Sequence, residues 1–375
     1  MNQHFLSVTG NHLEMGIEQG KNFARDIRRT FRRLLQFEGM DLIKPCWLPR
    51  LIFGYLVKRE ITKKWQQNIR VILPRQYERI LGISRGSKTP LAELLAIQAL
   101  EVLADDVSLV TSGCFSAAFL AGRTALNEPV VIKNFDYISD FFADNIVRLS
   151  APGDGFSSIE LSHKQLAGSH DGMNEKGLAV IYNYGLTREK TQARLPITLL
   201  VQEILENCSS IEEALALIKN FRYPNAAILT LADATNRAVS VEITPEHIAE
   251  RLPENGCLIN TNFFLTAKLQ PYDISHSAYY SERAPVGLRG RRIHETNELR
   301  YDRAQKLIAD KPKLNIDDFK NILSDHNNSF GSENTLCRHG EFFRTQVSAI
   351  FFLKRKKVLV GFGPPCQTIY TEFSL

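Results

Sequence analysis

The chain has 375 residues, 44% of them hydrophobic and 23% charged, with a net charge of +5. That is enough chain for one large domain with a full core, and too little excess positive charge for a nucleic-acid binder. Residues 1–113 hold 17 Lys/Arg and 11 Asp/Glu, a balance of +6, so the remainder carries −1. The excess sits in Lys21–Arg33 and Lys58–Lys64. A solvated helix face accounts for it most simply; the sharper alternative is a surface for anionic lipid or an acyl-CoA-like anion.

Residues 1–10 have neither the basic start nor the apolar stretch of a secretory signal, and no run of about 18 uncharged apolar residues suggests a membrane span. The six cysteines, at 46, 114, 208, 257, 337 and 366, form no CxxC pair. This predicts a reducing, cytoplasmic setting, without a disulfide framework or zinc ribbon. No cofactor is expected.

In chain order, His12–Phe37 and Lys58–Ile83 carry apolar residues at helical steps, interrupted in the second by Pro74. Leu42–Val57 is apolar but broken by Lys44, Pro45, Pro49 and Arg50, and reads as core or as a lid over a lipophilic pocket. Trp47 and Trp65 read as core anchors. Thr89-Pro90 opens a further helix reaching about Leu103. Beyond 113 the pattern turns to strands. Gly113–Ala121, Pro129–Tyr137 and Leu178–Tyr184 precede helices at Pro196–Asn207 and Ser210–Phe221, the latter opened by a Ser210–Glu213 capping box. A hairpin, Ala226–Asp233 with Ala238–Ile243, precedes a strand at Cys257–Thr261. Helices at Tyr301–Ala309 and Ile316–Leu323 lead to strands Thr345–Leu353, Lys357–Phe362 and Thr368–Phe373. Strands interleaved with paired helices predict an α+β fold of two sheets with helices outside.

Gly113-Cys114 lies where the helical half meets the first strand. If the following turn centres near Ala125, Cys114 and Asp136 stand opposite each other, with Cβ atoms roughly 5 Å apart. A carboxylate there could orient an amine or thiol; a strand-end cap is the plain alternative. His170 and the pair Cys337/His339 have too few partners at ligand spacing for a metal, so none is expected.

Gly10–Gly20, Gly113-Cys114, Lys133-Asn-Phe-Asp136-Tyr, Asp171-Gly-Met-Asn174-Glu-Lys-Gly-Leu178, Thr261-Asn262-Phe263 and Gly363-Pro-Pro-Cys366…Tyr370, in this order, together resemble the penicillin acyltransferase family, and more distantly bile salt hydrolases, penicillin V acylases and acid ceramidase, all N-terminal nucleophile hydrolases. Gly10–Gly20 is similar to the family's opening Gly…Glu-x-Gly…Gly stretch, Gly113-Cys114 to its processing site, and Lys133-Asn-Phe-Asp136-Tyr to an Arg-Asn-x-Asp-aromatic strand. Asp171-Gly-Met-Asn174-Glu-Lys-Gly-Leu178, with Asn183 following, is similar to an Asn-Glu-x-Gly-Leu turn, Thr261-Asn262-Phe263 to a Thr-Asn-His-Phe motif, and Gly363-Pro-Pro-Cys366…Tyr370 to the closing segment.

The resemblance implies a four-layer αββα fold, with residues 1–113 as a mostly helical prosegment and 114–375 as the catalytic domain. It implies self-cleavage between Gly113 and Cys114, with Cys114 as nucleophile and its freed α-amine as base. It further implies Asp136 at that amine, Asn262 and Asn174 as oxyanion donors, and an arginine near the thiol: Arg300 is the best match, with Arg303 and Arg338 as competitors. Lys133 replaces the usual arginine and lacks its bidentate fork. The implied substrate is an acylated small-molecule amide, lipophilic if Leu42–Val57 and Phe141-Phe142 line the site, with water, an amine or a coenzyme A thiol as acceptor. A homo-oligomer is left open. The competing readings are a cysteine hydrolase working through an internal Cys114 and a histidine, and an inactive ligand-binding relative.

Overall fold

The computed structural model describes residues 4–36, 44–98, 112–138, 144–190, 195–221, 223, 225–282, 284, 286–340 and 343–375. Phe141-Phe142, the start of the 42–57 stretch and the end of the helix opened by Thr89-Pro90 lie outside them.

Two sheets face each other. The first has eight strands: β1 (Phe5–Gly10), β4 (Asn145–Pro152), β5 (Ser158–His163), β6 (Asp171–Asn174), β7 (Ala179–Tyr184), β8 (Ala227–Asp233), β9 (Arg237–Ile243) and β10 (Ile248–Arg251), in that order across the sheet. The second runs β11 (Cys257–Asn260), β2 (Ser112–Phe119), β3 (Val130–Ile138), β12 (Phe343–Phe352), β13 (Lys357–Phe362), β14 (Thr371–Ser374). Among the described strands, only β1 and β4 pair in parallel. Side chains alternate across each strand, so Cys114, Ala118, Val131 and Phe135 of the second sheet meet Leu161, Met173 and Ile181 of the first in one apolar layer. Helices Ile197–Asn207 and Ile211–Lys219 cover the outer face of the first sheet. Helices Glu295–Ala309 and Ile316–Leu323 cover that of the second. The helix–sheet–sheet–helix order matches the expectation, and among the described residues no helix is long and apolar enough to cross a membrane.

The N-terminal helices join this body through close backbone contact and buried polar bonds. His12–Asn22 crosses Pro74–Ser87 with Gly16 and Gly20 against Gly82 and Gly86; a Cβ on Gly82 would lie 2.3 Å from the Leu13 carbonyl oxygen. Of the glycines singled out near the N-terminus, Gly16 and Gly20 are thus helix-packing residues, whereas Gly10 ends β1 in a left-handed conformation. Beside them Arg148 donates to Glu160, Gln19, Gln202 and the carbonyls of Leu166, Ala167 and Gly168. Arg79 pairs with Glu206 at 3.1 Å, both fully buried. All the hydrogen-bonding nitrogens of the Arg148 guanidinium are thus used, as burial requires.

Several elements differ from the sequence reading. His12–Phe37 breaks into His12–Asn22 and Ala24–Gln36. Strands β1, β4, β5, β6 and β10 were not expected. The described part of Leu42–Val57 is core only in part: Leu48 is buried and Phe53 and Val57 pack against the core, but the stretch leads into helix Arg50–Lys64, where Leu51 and Tyr55 are exposed, as is Trp47 before it. Trp65 is buried as expected.

Candidate active site

Pairing of β2 with β3 sets Gly113 opposite Asp136 and Cys114 opposite Phe135. The expected Cys114–Asp136 pairing is therefore one residue out, because the connection through Ala121–Arg123 and the left-handed Asn127 centres half a residue earlier. A one-residue slip reverses faces. The Cys114 side chain enters the layer between the sheets, and Asp136 points outward under helix Glu295–Ala309.

There Asp136 lies between two guanidiniums, Arg300 at 3.6 Å and Arg338 at 3.8 Å, all three groups fully or almost fully buried. Thr345 donates its hydroxyl to the Asp136 carboxylate at 2.7 Å and accepts from the Arg338 N–H at 2.9 Å. Burial pushes the Asp136 carboxyl pKa up, against the pull of Arg338, Arg300 and the Thr345 bond. Burial, then the neighbouring Arg338 charge, brings Arg300 down to about 10. Two cations around one anion make this an electropositive cluster against Gly113. A Cβ on Gly113 would lie 2.3 Å from Arg338 Nη1, so the cluster closes on the backbone itself.

Cys114 is held by its main chain. Strand β11 pairs with β2 only as far as Asn260–Ser116. Past that point side chains replace the missing strand: the Cys114 N–H donates to Asn262 Oδ1 at 2.8 Å, and Arg300 donates to the Cys114 carbonyl at 2.8 Å. Arg300 also donates to Asn262 Oδ1 and to Asn297, one turn earlier on its helix. Two donors on one atom fix which end of the Asn262 amide is oxygen; its Nδ2 donates to the Tyr184 carbonyl at 2.8 Å. Burial pushes the Cys114 thiol pKa up, with Lys133 pulling it down and Asp136 and Asp171 adding to the rise. The thiol is thus protonated near neutral pH and needs a base to act.

The inner face holds Lys133, fully buried, donating to the Tyr182 carbonyl and Asn183 Oδ1, with Asp171 at 3.7 Å. Asn183 also accepts from Ser116 and donates to the Thr261 carbonyl. Next to it, His170 shares a 2.7 Å bond with Asp171 and stacks on Phe135 at 4.0 Å; its Nε2 has no hydrogen-bond partner among the described residues. These rings border a pocket walled also by Leu34 and Ile97 from the N-terminal helices and by Tyr137 and His163.

The structure brings Gly113, Cys114, Asp136, Asn262, Arg300 and the competing Arg338 together, and adds Thr345 and Asn297. It does not bring Asn174 or Arg303. The Asn174 amide holds its own turn, donating to the Leu205 and Cys208 carbonyls and accepting from the N–H groups of Lys176 and Leu178. It faces the outer helix, and the left-handed residue of that turn is Gly177. Arg303, three positions from Arg300, turns away to a two-pronged pair with Asp325. Thr345 gave no signal in the sequence, whereas Asn297 sits one helical turn from Arg300, on the same buried face. The histidine readings also change: His170 lines the pocket, and Cys337 and His339 acquire His326 and Cys366 as neighbours.

Residues 123–366 match the model of the acyl-coenzyme A:6-aminopenicillanic acid acyl-transferase family. Over 207 residues the chain is 22% identical to the 40 kDa form of acyl-coenzyme A:6-aminopenicillanic-acid acyltransferase of Emericella nidulans; the match takes in 55% of this chain and 56% of that protein. The chain thus spans about half the length of that curated relative. Among solved structures, an arginine-to-leucine variant of conjugated bile acid hydrolase from Clostridium perfringens is 17% identical, with a TM-score of 0.44, covering 69% of this chain and 92% of that one. An N-acylethanolamine-hydrolyzing acid amidase ortholog from Caenorhabditis elegans is 13% identical, with a TM-score of 0.44 and coverage of 64% and 93%. On the family match, which takes in well over half of its residues, the chain belongs to the acyl-coenzyme A:6-aminopenicillanic acid acyl-transferase family.

Proposed function

We propose that this chain is a self-processing cysteine enzyme that divides into residues 1–113 and 114–375 and then hydrolyses or transfers the acyl group of a linear amide through Cys114. The observation that carries the reading is the treatment of the Cys114 backbone. Where strand pairing stops, its N–H and C=O are each gripped by a buried side chain, Asn262 and Arg300. A cysteine serving only as an apolar filler would not need that grip.

In processing, the Cys114 sulfur attacks the Gly113 carbonyl carbon. The Gly113–Cys114 C–N bond breaks, the nitrogen takes the thiol proton, and water hydrolyses the thioester to a Gly113 carboxylate and a free cysteine. The new α-amine, with a reference pKa of about 8, can then accept the thiol proton. This supplies the base that a buried thiol with a raised pKa lacks. In turnover, the thiolate attacks the acyl carbon, the amine leaves with a proton, and the acyl-thioester passes to water, an amine or a coenzyme A thiol. Asn262 Oδ1 is placed to hold the α-ammonium. Asp136 and Arg338 act on the Gly113 side of the bond, and the Arg300 cation favours developing negative charge.

The pocket beside Phe135 favours an apolar acyl chain, since its walls include Leu34, Ile97, Leu166 and Tyr137. Mass spectrometry of the 114–375 fragment after exposure to a library of amides tests the reading. An acyl adduct on Cys114, with a preference for lipophilic acyl groups, is expected. Turnover without any Cys114 adduct, or undiminished in Cys114→Ala, contradicts it.

The His170–Asp171 pair on the inner face supports a second reading, in which an uncut Cys114 uses His170 as base. In that case His170→Ala abolishes activity while the chain stays in one piece.

A further inference from the structure

We propose that His326, Cys337, His339 and Cys366 form a closed zinc(II) site that fixes the loop carrying Arg338. The four donor atoms lie within 4.8 Å of one another. They come from three stretches of chain: the turn after helix Ile316–Leu323, the Cys337-Arg-His339 segment, and the turn between β13 and β14. Left-handed Asn327 and Asn328 reverse the first turn, and the Cys337 N–H donates to the Asp325 carbonyl, which draws His326 and Cys337 together.

The separations among Cys337, His339 and Cys366 fit the metal. With Zn–S about 2.3 Å and Zn–N about 2.0–2.1 Å in a tetrahedron, two sulfurs stand about 3.8 Å apart, and a sulfur and a nitrogen about 3.5 Å. Cys337 Sγ and Cys366 Sγ are 3.6 Å apart, and His339 Nε2 is 3.3 Å from the first and 3.2 Å from the second. That sulfur pair is far beyond disulfide length. One imidazole nitrogen facing two thiols is poor hydrogen bonding but good ligand geometry. His326 Nε2 is a buried nitrogen with no hydrogen-bond partner among the described residues, and its ring meets that of His339 edge-on at 4.9 Å. Gly331 backs the His339 ring so closely that a Cβ would lie 2.2 Å from Cδ2. Two thiolates and two imidazoles in this arrangement select zinc over hard cations.

Four protein donors leave no open position, so the role is structural. Arg338 lies between two of the ligands, and its guanidinium faces Asp136 and Gly113. The metal would hold that guanidinium against the backbone at 113, and binding releases the two thiol protons.

The test uses the full chain. Metal analysis is expected to find one zinc per chain, and cobalt(II) exchange to give the spectrum of a tetrahedral thiolate site. Cys337 and Cys366 should resist alkylation until a chelator strips the metal. Cys366→Ser and His326→Ala should each lower zinc content at least tenfold after mild chelation, whereas Cys46→Ser should not. The wild-type measurements stand even if a variant folds poorly. Zinc well below one per chain with both thiols open to alkylation in added zinc(II), a Cys337–Cys366 disulfide in its place, or zinc retained by the Cys366→Ser/His326→Ala double variant overturns the proposal.

Discussion

Replacing Asp136 by asparagine keeps the shape of the side chain, and its oxygen can still accept from Thr345, but it removes the only anion between two buried guanidiniums. At an effective dielectric constant of about 20, unit charges at the observed 3.6 and 3.8 Å attract by roughly 4–5 kcal/mol each. Most of that offsets the hydration the three groups gave up on burial. Removing one partner of such a cluster leaves the others uncompensated, which costs about 3–5 kcal/mol. Set against a typical total of about 5–15 kcal/mol, this is a large loss. The clean assay is urea unfolding near pH 7 in a Cys114→Ala background, which blocks the proposed cleavage. Asp136→Asn should lose about 3–5 kcal/mol at unchanged m-value, with little dependence on salt because the pairs are buried. Adding Arg338→Met should recover about 1–3 kcal/mol, since the two sites share a partner. In the Cys114 background, Asp136→Asn should also leave the chain uncut. A stability loss under about 0.5 kcal/mol, the level of an ordinary surface change, would refute the reasoning.

Asn262→Ala removes the acceptor of the Cys114 N–H; kcat/KM of the processed enzyme should fall roughly 10- to 100-fold, as loss of one hydrogen bond to a charged group, about 1.5–3 kcal/mol, requires, while circular dichroism stays unchanged. Gly82→Ala places a Cβ 2.3 Å from the Leu13 carbonyl oxygen, so the two helices must part; thermal unfolding should show a loss of about 3 kcal/mol. His163 should make the fold acid-sensitive. Burial holds its pKa down to about 3, against about 6.5 in the unfolded chain. Between those values the unfolded chain holds a proton that the native state does not, so stability falls as pH drops below 6.5, by up to about 1.4 kcal/mol per pH unit. His163→Phe should flatten the slope between pH 6.5 and 5 in a urea titration series.

The legible parts of the fold were those whose apolar pattern matches their burial. The strands ending near Phe119, Tyr137, Tyr184, Asp233 and Ile243, and the helices after Pro196 and Ser210, have apolar inner faces and plain turn signals. Strands β4 to β6 were hidden because Arg148, Glu160 and Asp171 look like surface residues, yet each is buried in a satisfied polar network. Helix Arg50–Lys64 misled in the opposite direction: Phe53, Val57 and Ile61 turn to the core, but the equally apolar Leu51, Ile52, Tyr55 and Leu56 are exposed. At the site, motif order singled out Cys114, Asp136, Asn262 and Arg300, and the structure sets them together. The hairpin arithmetic failed by one residue, which is enough to exchange the faces of Cys114 and Asp136. Asn174 misled because an asparagine amide that ties down a turn looks the same in sequence as one that binds a ligand. The His326–Cys366 grouping was out of reach because its members lie 11, 2 and 27 residues apart and meet only through two loop reversals.

The most direct measurement is intact-mass analysis of the full chain purified under reducing conditions, beside its Cys114→Ala variant. The account predicts two fragments from the wild type, 1–113 and 114–375, with cysteine as the first residue of the second, and one uncut chain from the variant. A wild-type chain that stays whole yet turns over amides would contradict it.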